Sequence, residues 1–124
     1  MSKRSNLNEY PIHFVTTNVN NNIFLFNREQ YCQIIVDNLK FYRNKYKFKL
    51  YAWVIIPWHI HLLLELLEGI KIQDVMRDFK KYSAVQIVQQ LKKDERIDLL
   101  QKFSLQDGIP DYKSTLGVRY SSAV

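Results

Sequence analysis

The residues best equipped for chemistry are His59 and His61. They sit one residue apart in the apolar stretch YAWVIIPWHIHLLLELLEG, Tyr51 to Gly69. An extended strand sends successive side chains to opposite faces. A strand here places His59, His61, Leu63 and Glu65 on one face and Trp58, Ile60, Leu62 and Leu64 on the other. The second set has the composition of a core face. The imidazoles then share the open face, with α-carbons about 6–7 Å apart, where they can converge on one metal ion. Neutral imidazole is available as a ligand near pH 7. Two ligands are too few for a closed structural site; a third, with water or substrate in the open positions, makes a catalytic one. The alternative is a pair of histidines that are simply hydrogen-bonded beside a core. Glu65 lies about 13 Å along the strand from His61 and fits a strand-end surface charge better than a ligand.

The elements that must position this pair follow from periodicity. PIHFVTTNV, Pro11 to Val19, is rich in β-branched and aromatic residues and predicts a first strand, closed by the turn NVNNN. NREQYCQIIVDNLKFYRNKY predicts a helix, with Asn27 as cap and Gln30 completing a capping box. Its apolar face carries Tyr31, Ile34, Ile35, Leu39 and Tyr42, with Asn38 among them. FKLYAWVII is a second strand and HIHLLLEL a third; the short break at Pro57 predicts an antiparallel hairpin. Gly69 ends the third strand. KIQDVMRDFKKYSAVQIVQQLKK is a second helix, with Ile72, Val75, Met76, Phe79, Ser83 and Ile87 on one side. After Asp94, RIDLLQKF predicts a short helix, SLQDGIPDYKSTLG a loop, and VRYSSAV the start of a strand.

That order predicts an α+β fold containing five of the six elements of a ferredoxin-like βαββαβ unit. Such a unit has an antiparallel sheet with two helices on one face and leaves the other face open. The expected organisation is one domain over 1–124, with a core over 10–93 and a weakly organised tail over 94–124.

Composition sets the outer limits. The chain is 47% hydrophobic and 14% aromatic, enough for a real core, which excludes a disordered tail. A net charge of +6 and a pI near 9.4 favour a polyanionic partner. The basic residues cluster at Lys3 and Arg4; at Arg43, Lys45, Lys47 and Lys49; at Arg77, Lys80 and Lys81; and at Lys92, Lys93 and Arg96. In FYRNKYKFK aromatics interleave with them, a pattern that suits single-stranded nucleic acid through phosphate contacts and base stacking. A solvated helix end with buried aromatics has the same pattern. Cys32 is the only cysteine, so one chain can form neither a disulfide framework nor a CxxC metal clip; a reducing compartment fits. The N-terminus lacks the apolar region of a signal peptide. The run Tyr51 to Leu67, broken by Pro57, two histidines and Glu65, falls short of the roughly 20 apolar residues of a membrane span. The expectation is a soluble cytoplasmic protein with no membrane partner.

WVIIPWHIHLLLE, Trp53 to Glu65, resembles the motif of the single-tyrosine HUH transposases of the insertion-sequence and REP-associated types, roughly W-V-[IV]-M-P-N-H-x-H-L-L. Both histidines and Pro57 match. The chain departs from the motif at Ile56, where Met is usual, and at Trp58, where Asn is common. HFVTTNVNNNIFLFN resembles the family's first strand and the phrase after it, and MRDFKKYSAVQI resembles the S-F-K-x-Y-[ST]-A helix. The resemblance covers most of residues 10–90. It implies that His59 and His61 hold Mg²⁺ or Mn²⁺ and that the partner is single-stranded or hairpin DNA. It further implies cleavage by a tyrosine, through a 5′-phosphotyrosine link with a free 3′-OH, and a homodimer. It singles out Lys80 and Lys81 for DNA contact, beside Arg43, Lys45 and Arg77 from the clusters.

In the family the nucleophile lies on a later helix, after a further strand, with a third metal ligand about one turn on. No match to the W-Q-x-x-F or Y-I-x-x-N-P stretches of that region occurs here. Tyr82, with Gln86 four residues on, imitates a nucleophile followed by a metal-binding amide. The alternative is that Tyr82 packs or touches DNA within the F-K-x-Y motif. Tyr112 in a loop and Tyr120 near the end have no better claim. Two further readings follow: a derivative that binds DNA without cutting, and a metal-dependent hydrolase with water as nucleophile.

Overall fold

Burial of alternate residues in two neighbouring strands organises the molecule. The structure, a computed structural model, describes residues 11–19, 23–104 and 116–122, the last of these as backbone. Strand β1 is Ile12–Val19, helix α1 Glu29–Tyr46, β2 Lys49–Ile56, β3 His59–Glu65, α2 Ile72–Lys93, α3 Ile97–Ser104 and β4 Leu116–Ser122. The sheet runs β2-β3-β1-β4 and every neighbouring pair is antiparallel. Val15 and Val19 of β1 and Ile60, Leu62 and Leu64 of β3 join Tyr31, Ile35 and Leu39 of α1 and Val75, Met76, Phe79 and Ile87 of α2 in one core. Both long helices therefore cover one face of the sheet and the other is open, as the element order predicts. RIDLLQKF supplies α3, which buries Leu99 and Phe103, and VRYSSAV begins inside β4. The candidate Tyr112 and the pair Lys3 and Arg4 lie outside the described residues.

The local chemistry differs from the sequence expectation in two places. Asn27 does not cap α1: it ends a 3₁₀ turn, Leu25–Asn27, and α1 starts after Arg28 with no side-chain cap. The reason is tertiary. The Phe26 N–H donates to the Pro57 carbonyl at 3.0 Å, and the turn buries Leu25 and Phe26. Trp58 does not share the core face with Ile60. The Val19 N–H donates to the Trp58 carbonyl at 2.9 Å, and Pro57 and Trp58 form the hairpin turn, so β3 begins at His59.

The two helices are also joined by polar contacts. The Tyr46 hydroxyl donates to Asp78 at 2.5 Å and the Tyr31 hydroxyl to Asp94 at 2.8 Å. Hydrogen bonds from Tyr46 and Arg77 hold the Asp78 carboxyl below the usual carboxylate range, against the effect of its partial burial. Burial, reinforced by the bond to Asp94, pushes the Tyr31 phenol up.

Ile60 lies between the two histidines in sequence yet is 0% exposed, whereas Val54, across from His61 on edge strand β2, is 51% exposed. Ile60→Ala should therefore cost about 2–5 kcal/mol of stability, and Val54→Ala less than about 1 kcal/mol, measured by urea unfolding. Equal losses would contradict this assignment of faces.

Candidate metal and DNA site

Strand β3 is an inner strand, so its open-face residues have neighbours on both sides. The register sets His61 opposite Thr16 of β1 and Val54 of β2, and His59 opposite Asn18 and Ile56. The two imidazoles are half-buried and stack, with centroids 5.7 Å apart and planes 23° from parallel. Each ring is held by β1 through the same atom. The His59 Nδ1 hydrogen-bonds the Asn18 Oδ1, and the His61 Nδ1 lies 3.3 Å from the Thr16 Oγ1. Because Oδ1 only accepts, His59 is the donor and carries its proton on Nδ1. Phe14 stacks on the far side of His61, 5.8 Å between centroids. Among the described residues, no hydrogen-bond partner engages Nε2 of either ring.

This arrangement suits an open metal site. A ligating histidine typically uses one ring nitrogen while the other donates to a neighbouring oxygen, which fixes tautomer and orientation. His59 with Asn18 has that form. Imidazole nitrogens accept Mn²⁺ and Zn²⁺ more readily than Mg²⁺. Among the described residues no group of three His, Cys, Asp or Glu comes together, so the pair offers two ligands and leaves the remaining positions to other donors.

The other residues singled out by sequence lie elsewhere. Tyr82 and Gln86 stand on the helix layer, with the core and the sheet between them and the histidines. Gln86 accepts a 3.0 Å bond from the amide of Asn38, and Tyr82 stacks with Tyr42 at 6.3 Å. With Asp37, Phe41 and Lys45 they line an open pocket of about 520 Å³ between α1 and α2. Burial and the neighbouring Asp78 push the Tyr42 phenol up to about 12. The structure thus brings Tyr82 and Gln86 to each other and to α1, and does not bring either to His59 and His61. Tyr51 reaches the open face but is held at its far end, donating to Glu65 at 2.6 Å.

The five candidate basic residues also lie on the two long helices. Arg77 is engaged by Asp74 and Asp78, each at 3.2 Å, and Lys45 lies 3.8 Å from Asp78. Lys81 packs over the Tyr82 ring at 5.7 Å. Among the described residues no carboxylate pairs with Arg43, Lys80 or Lys81. No described helix is long and apolar enough to cross a membrane.

Sequence reasoning missed Phe14, Thr16 and Asn18. Their signal was present, since alternation in FVTTN puts all three on one face of β1. Knowing that this face adjoins the histidines requires the β1–β3 register.

The model for the family described as IS200-like transposases matches residues 6–109. The solved structure of a REP-associated tyrosine transposase bound to a REP hairpin superposes with a TM-score of 0.61 at 19% identity, covering 92% of this chain and 56% of that one. A protein of Deinococcus radiodurans R1 described as a transposase candidate superposes with a TM-score of 0.59 at 15% identity, covering 90% and 78%. At these identities the likeness is one of fold. The chain spans little more than half the length of the first of these proteins. No curated protein sequence matches.

The Asn18 contact makes the neutral His59 the Nδ1–H tautomer. ¹⁵N NMR of the labelled protein should find it so, and Asn18→Ala should shift the ring toward Nε2–H with the fold retained. An Nε2–H tautomer in the unsubstituted protein would contradict the geometry.

Proposed function

The chain belongs to the IS200-like transposase family, and from that premise we propose that it binds single-stranded or hairpin DNA and cleaves and rejoins it beside His59 and His61. The observation that carries this reading is the imidazole pair on the open sheet face, with both Nδ1 atoms tied to β1. His59 and His61 would hold the ion. A divalent cation such as Mg²⁺ or Mn²⁺, when bound, supplies Lewis-acid polarisation of a phosphodiester oxygen. Asn18 and Thr16 orient the rings. The solved REP-associated relative is bound to a REP hairpin, which supports hairpin DNA as the ligand class.

In the proposed reaction a tyrosine oxygen attacks phosphorus, the bond to the 3′-oxygen breaks, and the 3′-OH leaves with a proton. Attack by a 3′-OH reverses the step and rejoins the strand. Tyr82 is not assigned this role, because the sheet separates it from the histidines of its own chain. The proposed assembly is a homodimer. Arg43, Lys80 and Lys81 are the proposed phosphate contacts, since Arg77 and Lys45 are already engaged by carboxylates.

One observation favours a second reading, a DNA-binding derivative without nuclease activity. No tyrosine among the described side chains stands beside the histidine pair. A single assay separates the two. The chain is incubated with a single-stranded hairpin DNA and Mn²⁺, and a covalent adduct is sought on a denaturing gel. The leading reading predicts an adduct that His59→Ala and His61→Ala each abolish and Tyr82→Phe leaves unchanged. Binding with neither adduct nor cleavage would establish the second reading. Cleavage without an adduct would point to water as the nucleophile.

A further inference from the structure

The histidines belong to a longer row of rings. Phe14 stacks on His61, His61 on His59, and His59 meets the edge of Trp58 at 5.4 Å and 61°. Trp58 then stacks on Phe24, with centroids 4.9 Å apart and planes 19° from parallel. Phe24 is 56% exposed, although the two residues after it are buried. Trp58 is half-buried and stands where the chain departs from the HUH motif it resembles. A hydrophobic staple for the turn would not require so much of the Phe24 ring in water. The turn is already fixed by backbone bonds from Val19 to Trp58 and from Phe26 to Pro57, at 2.9 and 3.0 Å.

We propose that Phe24 and Trp58 form a stacking platform for an unpaired nucleobase of single-stranded DNA, next to the nucleotide whose phosphate meets the histidine pair. This rests on the reading of the open face as the DNA site. Three features fix the occupant. Flat aromatic faces accept any base by stacking, which sets the preference for unpaired over paired nucleotides. The platform is continuous with the imidazoles, and the ring spacing from Trp58 to His59 is shorter than one nucleotide. The chain carries a net charge of +6, which complements a polyanion and disfavours a basic partner. The backbone bonds hold the platform before the ligand arrives, so little ordering is needed on binding. Trp58 is a binding residue here: it touches the base and not the reacting atoms.

The test separates base stacking from phosphate attraction. Oligothymidine and an abasic sugar-phosphate strand of equal length are titrated against the full chain by fluorescence anisotropy at several salt concentrations. Trp58→Ala should weaken oligothymidine binding about 10-fold, leave the abasic strand's affinity unchanged, and leave the salt slope unchanged. Trp58→Phe, which keeps a ring, should recover most of the loss. In a Trp53→Phe background Trp58 is the sole tryptophan, and oligothymidine should quench its emission where the abasic strand does not. Equal losses on both strands, no loss on oligothymidine, or no base-dependent quenching would each overturn the platform. Tight oligothymidine binding without base dependence would overturn the platform alone. Absence of binding to single-stranded and hairpin DNA alike would overturn the DNA reading beneath it.

Discussion

The position of the histidine pair depends on the alternation of β3 in register with β1. Ile60, Leu62 and Leu64 point into the helix-covered core at 0–1% exposure, and each such burial is worth about 1.5–3 kcal/mol. A slip by one residue would exchange the faces, sending His59 and His61 into the core and three large aliphatic side chains into water. The core therefore holds the imidazoles on the open face, and β1 sets their azimuth, because the same register that buries Val15 aligns Thr16 and Asn18 with the two rings. Stability and site geometry come from one set of pairings.

The sheet also divides the molecule chemically. On one side stands the row of rings that contains the histidines. On the other, α1 and α2 are joined by apolar packing and by Tyr46–Asp78, Tyr31–Asp94 and Asn38–Gln86. That division explains several residues that carry no visible chemistry with the histidines. Gln86 satisfies the mostly buried Asn38, Arg77 supports Asp78, and Tyr82 extends the tyrosine stack between the helices. Under the proposed function, DNA that used both the open face and the helix-layer lysines would have to pass around the sheet edge.

Much of this was legible in the chain. Strand alternation in HIHLLLE separates the histidines from the aliphatic core residues without any knowledge of tertiary structure, and helical spacing gives the buried faces of α1 and α2 closely. What failed were residues whose roles depend on contacts distant in sequence. Asn27 has the right type for a helix cap, yet the 26–57 backbone bond imposes a 3₁₀ turn there. Trp58 has the composition of a core residue, yet the 19–58 bond places it in a turn against Phe24. Tyr82 and Gln86 have a suggestive i,i+4 spacing, on a helix that the expected fold already set on the face opposite the histidines, and the structure places them there against α1. The partners of the histidines were hidden because they lie on β1, far from β3 in sequence.

The central claim is that both imidazoles can bind one ion through the nitrogens that β1 leaves open. Electron spin-echo modulation of Mn²⁺ added to the full chain tests it directly, because directly bound imidazole nitrogen leaves a distinct ¹⁴N modulation. The account predicts ¹⁴N coupling from two imidazoles in the unsubstituted protein, from one after His59→Ala or His61→Ala, and from none in the double variant. A spectrum of hydrated Mn²⁺ without nitrogen coupling, or one unaffected by either substitution, would contradict it.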